Sequence, residues 1–201
     1  ILTNTSFQEL WTNGYGKGIV NLNQLIKLAD ANQNPNYAGV ALVLRSWIFN
    51  LQTDAYGDIP YTQAGDIQNF LTPKYDTQKD VYRGLLNDLK AAQSALDPAG
   101  KAIQGDIIYG GNIASWKKFA NSLRLRIALR IADREPALAK ETLTAIAAEG
   151  GNYISSNSET AQVTYKASPN QNPISNIFDT RDDHRISKTM VDRLKDLNDP
   201  R

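Results

Sequence analysis

Two aspartates, Asp54 and Asp58, stand four residues apart in the segment TDAYGDIPYTQA. A pair of carboxyl groups can hydrolyse a glycosidic bond, because one acid protonates the leaving group while the other attacks the sugar or activates water. Sequence spacing within a turn does not fix the distance between two carboxyl groups. Glycoside hydrolysis by this pair is therefore one hypothesis, and a structural role for the same segment is the alternative.

The structural alternative rests on the turn-forming residues of this segment. Gly57 can adopt a positive φ, and Pro60 fixes its own φ and keeps the preceding residue extended. Tyr56, Ile59 and Tyr61 would then pack the bend onto neighbouring helices. This interpretation predicts a structural joint and not a reactive site.

A basic run from Trp116 to Arg134 is the second candidate for chemistry. Its only acidic residue is Asp133, and its basic residues are Lys117, Lys118, Arg124, Arg126, Arg130 and Arg134. A basic helix can bind phosphates, but the whole chain has a formal net charge of only +1, so we expect no nucleic-acid partner. The last three arginines recur every four residues and predict an exposed or interhelical face. An arginine of this helix could hold Asp54 or Asp58 through a bidentate ion pair.

Metal and thiol chemistry have little support. His184 lies among aspartates in DTRDDHR, but the chain has one histidine and no cysteine. Protein metal sites need three or four converging ligands, so we expect a solvated loop there, and neither a metal nor another cofactor. The longest apolar run has seven residues, Ala38 to Leu44, whereas a membrane-spanning helix needs roughly twenty.

Aromatic rings could stack on sugars. Trp11, Trp47 and Trp116 each fall on the apolar face of a predicted helix, where packing in the core is the usual role. The tyrosines that fall in predicted turns are candidate surface contacts: Tyr15, Tyr56, Tyr61, Tyr109 and Tyr153.

Helical spacing of apolar residues dominates the chain and predicts the elements that hold these groups. The first helix should bend or split around Gly14, Gly16 and Gly18. A central helix, apolar on nearly every face, should run from Tyr37 to about Thr53.

Capping residues predict the later helices. The predicted starts are Thr77, Asn112, Pro136 and Ser187. Residues 152–176 are rich in Ser, Asn, Thr and Gln and should form a surface loop, with QVTY extended for a few positions. The simplest packing is two antiparallel helix pairs, which suggests a solenoid of the tetratricopeptide kind.

Several segments, taken in order, give the chain a family resemblance. LVLRSWIFNLQTDAYGDIPYTQA, PKYDTQKDVYRGLLNDL, WKKFANSLRLRIALRIAD and LNDPR together resemble the SusD/RagB family of outer-membrane nutrient-binding lipoproteins, in its SusD-like branch. The resemblance implies an all-α fold of tetratricopeptide-like helix pairs with irregular loops. It also implies that the segment Tyr56, Gly57, Asp58, Ile59, Pro60, Tyr61 is a structural hallmark after a scaffold helix.

The resemblance further implies a binding protein and not an enzyme. Family members are lipid-anchored through a cysteine and cover a TonB-dependent, SusC-like transporter, to which they deliver oligosaccharides or other nutrients. This sequence has no cysteine, so we expect the anchor to lie outside it, and residues 1–201 to be the amino-terminal part of a longer chain. No position matches a general ligand-binding motif. A helical-repeat adaptor for a protein or peptide is the main rival, followed by the glycoside hydrolase using Asp54 and Asp58.

Overall fold

The structure is a computed structural model, and it describes residues 8–183 and 185–200. The chain forms two compact units, residues 1–162 and 163–201. The elements of the first unit are α1 Gln8–Asn13, a π-helical segment Gly14–Ile19, α2 Val20–Ala31, α3 Pro35–Tyr56, α4 Gln78–Ala95, α5 Ile113–Ile131, α6 Pro136–Ala148 and a 3-10 turn Asn157–Glu159. The second unit contains α7 Pro173–Phe178 and α8 Lys188–Asp196.

The first unit is a series of helices in which each packs against the next along the chain. α2 packs on α3, α3 on α4, α4 on α5 and α5 on α6, and α3 also contacts α5. No strand occurs in residues 8–183 and 185–200, where the only β-type pairing is an isolated antiparallel bridge between Ile59 and Asp76. The all-α prediction is therefore confirmed, and QVTY is not a strand.

Predicted capping residues set the helix starts. Thr77 precedes α4 and accepts a hydrogen bond from the Asp80 amide at 3.2 Å, while the Thr77 hydroxyl donates to the Asp80 carboxylate at 2.8 Å. Asn112 caps α5 by accepting from the Ser115 amide at 3.0 Å. Pro136 is the first residue of α6. Each cap satisfies a backbone amide that has no partner inside the helix.

α3 is the central helix, as predicted, and is buried on several faces. Around it lies a continuous apolar core to which α4 contributes every third or fourth residue. Trp116 on α5 is 1% exposed and confirms its predicted core position. The other fully buried large side chains of this core include Phe49, Ile59, Leu85, Leu89, Leu96 and Ile127.

The helical structure near the amino terminus changes at the glycines, which is where an irregularity was expected. Helical structure continues through them as the π-helical segment. A Cβ at Gly18 would lie 2.7 Å from Ile48 Cδ1, and one at Gly14 would lie 1.8 Å from Gln52 Nε2. These glycines allow close packing against α3, so the interhelical contact, and not a loss of helix, explains them.

One further expectation was wrong, and another was met only in part. Trp47 lies on the solvent side of α3 and is 39% exposed, so it is not a core residue. The predicted loop of residues 152–176 contains the 3-10 turn and the first residues of α7.

In the second unit, Ser187 caps α8 by accepting from the Met190 amide at 3.3 Å, as predicted. No helix in the part of the chain that the structure describes is long and apolar enough to cross a membrane.

The tight contact between α4 and the bend gives a stability prediction. A Cβ at Gly84 would lie 2.3 Å from Cε1 of Tyr61. We expect Gly84→Ala to lower the free energy of unfolding by about 1–3 kcal/mol, because the ring or the helix must shift. Chemical denaturation measures the change.

Gly16→Ala is the matched control. A Cβ at Gly16 would have no atom within 4 Å, and the φ of this residue is not positive. Alanine should therefore be neutral or stabilise by up to about 1 kcal/mol through helix propensity. Equal unfolding midpoints for the two variants would contradict the predicted clash.

Candidate functional site

The bend after α3 is closed by backbone pairing. Gly57 has φ +79°, and its amide donates to the Thr53 carbonyl at 2.9 Å. Ile59 is fully buried, and its amide and carbonyl both pair with the backbone of Asp76, at 3.2 and 2.9 Å. The chain between α3 and α4 is thus held at both ends.

The Asp76 side chain forms hydrogen bonds within the same bend. Its buried carboxylate accepts from the Tyr61 amide at 3.1 Å, the Thr62 amide at 2.7 Å and the Thr62 hydroxyl at 2.8 Å. Lys74 Nζ lies 3.2 Å away. Burial acts to raise the pKa of Asp76, but the hydrogen bonds from Thr62, Lys74 and Tyr61 outweigh it and hold the pKa below its usual value. The carboxylate is therefore kept ionised.

An aromatic cluster lies beside the bend. The ring centroid of Trp11 is 4.7 Å from that of Tyr15 and 5.1 Å from that of Tyr56. Tyr75 stacks on Trp11 at 6.3 Å with an interplanar angle of 21°, and Tyr75 is 63% exposed. The Tyr15 hydroxyl donates to the Pro60 carbonyl at 2.8 Å, and burial raises the pKa of Tyr15. The cluster thus presents one supported ring, that of Tyr75, to solvent.

Tyr61 forms a second polar network on α3 and α4. Its hydroxyl donates to the Asp88 carboxylate at 2.9 Å, and Arg45 pairs with the same carboxylate at 2.9 Å and with Asn23 at 2.9 Å. Burial, followed by the charge of Asp88, raises the pKa of Tyr61. The Tyr61 ring also meets Phe49 edge to face at 4.9 Å. These residues line a cleft of about 390 Å³, which we call the Tyr61 cleft.

Most of the tyrosines proposed as surface contacts are structural. The hydroxyls of Tyr15 and Tyr61 donate to Pro60 and Asp88, and that of Tyr109 donates to the Glu159 carbonyl at 3.0 Å. Burial raises the pKa of Tyr109 to about 12. Tyr153 is 41% exposed. Tyr75 was not among the predicted contacts, because its exposure depends on the bend that carries it and has no local sequence signal.

Asp54 and Asp58 have separate partners. Asp54 Oδ1 accepts from the Tyr82 hydroxyl at 2.6 Å and from Arg130 Nε at 3.2 Å, while Arg130 Nη2 lies 3.1 Å from Asp54 Oδ2. The predicted bidentate arginine pair is therefore confirmed for Asp54. Asp58 Oδ1 instead accepts from the Gln78 amide, at the start of α4, at 2.8 Å. One aspartate thus belongs to an ion pair and the other to a helix terminus.

The Asp54 pair belongs to a charged cleft of about 390 Å³ between the end of α3, the start of α4, the end of α5 and the start of α6. Glu135 lies on it and is held by Lys79 at 2.5 Å and Arg83 at 2.8 Å. The hydrogen bond from Lys79, then that from Arg83, holds the pKa of Glu135 below its usual value. As predicted, Arg126, Arg130 and Arg134 are exposed.

Other candidates of the sequence analysis have simpler outcomes. Arg124, one of the basic run, is 2% exposed and contacts Asn121 and Glu149, which its position in a basic helix did not reveal. His184 lies outside the described residues. Within residues 8–183 and 185–200, no group of three or more histidines or carboxylates is placed to hold a metal ion.

The described residues form an all-helical fold whose loops carry exposed rings, such as those of Tyr75 and Tyr153. The model of the SusD-like family described as "Starch-binding associating with outer membrane" matches residues 2–201. The chain belongs to this family, and the resemblance noted from its sequence is confirmed. A comparison with curated proteins gives no match.

Solved structures agree with this membership. A chitin-binding protein is 33% identical, with a TM-score of 0.82 over 100% of this chain and 43% of its own. A chitin-binding SusD homologue from Flavobacterium johnsoniae is 28% identical, with a TM-score of 0.83 over 99% of this chain and 42% of its own. The chain thus spans about two fifths of the length of these relatives.

That the bend acts as a joint stays a prediction, and replacing Asp76 tests it. We expect Asp76→Asn to lower the free energy of unfolding by about 1–3 kcal/mol at neutral pH, because the amide group can no longer accept all the hydrogen bonds that the carboxylate does. Asp30→Asn, an exposed change on α2, should stay within about 0.5 kcal/mol. Equal losses for both variants would refute the joint.

The same carboxylate predicts a pH dependence. Because the pKa of Asp76 is lower in the folded than in the unfolded chain, its ionisation stabilises the fold fully above the unfolded value, near pH 4. This contribution is lost as the pH falls through the folded pKa. The parent protein and Asp76→Asn should therefore converge in stability below about pH 4. Denaturation curves across the acid range check this, and a constant difference between the two would contradict it.

Proposed function

We propose that this chain is the helical scaffold of a protein that captures an oligosaccharide at the outer-membrane surface and delivers it to a TonB-dependent, SusC-like transporter. The family match over residues 2–201 carries the proposal, because the description of that family joins starch binding to the outer membrane. Two chitin-binding structures that align with nearly all of this chain support it.

We further propose that residues 1–201 are the amino-terminal part of a longer, lipid-anchored chain. The relatives named above extend well beyond the part aligned here. In this proposal the anchoring cysteine and much of the ligand surface lie outside these residues. The helices described here would supply rigidity, and their loops would supply a share of the contacts.

Tyr75 is the proposed sugar contact within this chain. Its ring is exposed and stacks on that of Trp11 at 6.3 Å, and this contact limits the orientations of the ring before a ligand arrives. The apolar face of a pyranose packs on such a ring, and little conformational entropy is lost in binding when the ring is already fixed.

We propose binding without cleavage. A glycosidase needs two carboxyl groups that face one sugar, with one of them able to donate a proton. Here Arg130 and Tyr82 engage Asp54, and the Gln78 amide engages Asp58. These hydrogen bonds and the ion pair favour a structural role for both aspartates.

Calorimetric titration of the intact protein with chitin and starch oligosaccharides tests the proposal. We expect binding, and no reducing ends released on prolonged incubation. Tyr75→Ala should weaken binding by roughly threefold to tenfold, which corresponds to about 0.5–1.5 kcal/mol for one aromatic contact.

Tyr153→Ala is the control for this substitution. Tyr153 is also exposed, but it belongs to none of the aromatic pairs around Trp11. Its loss should leave the affinity unchanged. Absence of binding to every glycan tested would overturn the proposal, and equal effects of the two variants would remove Tyr75 as the contact.

A further inference from the structure

The charged cleft at Asp54 carries more positive charge than its carboxylates can balance. Its two carboxylates are Asp54 and Glu135. The basic side chains that line it or pair with those carboxylates are Lys79, Arg83, Arg126, Arg130 and Arg134. Of these, Lys79, Arg130 and Arg134 line the cleft, so three lining cations face two lining anions, an excess of one positive charge.

Each carboxylate is already shared. Asp54 is within 3.1 Å of Arg130 Nη2 and 3.9 Å of Arg126 Nη2, while Glu135 binds Lys79 and Arg83. A guanidinium has five N–H donors and an ammonium has three. Most of the donors at this cleft are therefore not used by the two protein carboxylates.

Arg134 is the cation with the most free donor capacity. It lines the cleft and is exposed, and its guanidinium makes no ion pair or hydrogen bond with any residue that the structure describes. Its backbone is fixed, because its amide donates to the Ile131 carbonyl at 3.0 Å. The fork of a guanidinium matches the two oxygens of a carboxylate.

The cleft also has an apolar wall. Ile131 and Leu138 lie on either side of Arg134 in sequence and line the same space, and both pack against the hydrophobic core. A ligand that fits both features carries an anion next to a compact apolar face. A pyranose ring with a carboxylate at C5 has this chemistry, since its C–H face is apolar and its carboxylate is ionised at neutral pH.

We propose that this cleft binds a uronic acid residue of an acidic glycan, with Arg134 holding the carboxylate and Leu138 packing on the sugar ring. The proposal rests on the glycan-capture function and specifies a charged class of sugar for it. The volume of the cleft, about 390 Å³, suits one sugar residue and part of the next sugar in the chain.

Titration of the intact protein with glucuronate, and with glucose as its uncharged counterpart, tests the site. We expect NMR shifts at α5 and α6 with glucuronate and none with glucose. Arg134→Gln should weaken glucuronate binding by roughly tenfold, because one charge-assisted bidentate contact is lost. Raised salt should weaken binding as well.

Lys140→Gln removes an exposed charge from α6 outside the cleft and is the matched control. It should bind glucuronate as the parent does. Lys79→Gln provides a second variant inside the cleft and should weaken binding in the same direction. Equal affinity for glucuronate and glucose, or an unchanged affinity in both cleft variants, would overturn the proposal.

Chitin and starch oligosaccharides, titrated in the same way, separate this inference from the proposed function. If they bind while glucuronate does not, the uronate site is refuted and glycan capture stands. If glucuronate binds with the expected dependence on Arg134 while neutral glycans do not, the cleft is supported and the ligand class of the protein is restricted to acidic sugars.

Discussion

In the joint that we predict, the chain between α3 and α4 is closed by contacts around Asp76. A loop of this length is costly to order, and its buried amides need partners, because an unpaired buried amide costs free energy comparable to a lost hydrogen bond. Asp76 meets both demands: its backbone pairs with Ile59, and its carboxylate accepts from two consecutive amides at Tyr61 and Thr62. With the loop fixed in this way, Tyr61 reaches Phe49, and Tyr75 lies over Trp11.

Much of this fold could be predicted from local sequence. The first amides of a helix have no partner inside it, so a helix start favours a side chain that accepts from them or a proline, which has no amide hydrogen. Thr77, Asn112 and Pro136 mark their helices in this way. Apolar spacing likewise placed Trp116 in the core. The central position of α3 followed from its apolar residues on nearly every face. These features depend on residues close in sequence, which is why a single sequence reveals them.

The errors and omissions all involve contacts between distant segments. Gly18 reads as a helix breaker by propensity, yet it permits close packing on α3. Trp47 follows the apolar spacing of α3 but faces solvent, since neighbouring helices do not cover that part of it. Arg124 is buried because Glu149, 25 residues later, returns to meet it at the end of α6. The exposed position of Tyr75 depends in the same way on a distant contact, because the neighbouring residue Asp76 pairs with Ile59.

The charge excess at the cleft is hard to explain by stability alone. The ion pairs there involve half-exposed cations, with Arg126, Arg130 and Lys79 each more than 50% exposed, and exposed pairs of this kind contribute little to stability. Like charges held close together repel, so extra cations beyond those that the carboxylates neutralise lower stability slightly. Under the two proposals, the exposed ring of Tyr75 would contact a neutral sugar and the charged cleft an acidic one, so a glycan that contains both kinds of residue is the ligand that we propose.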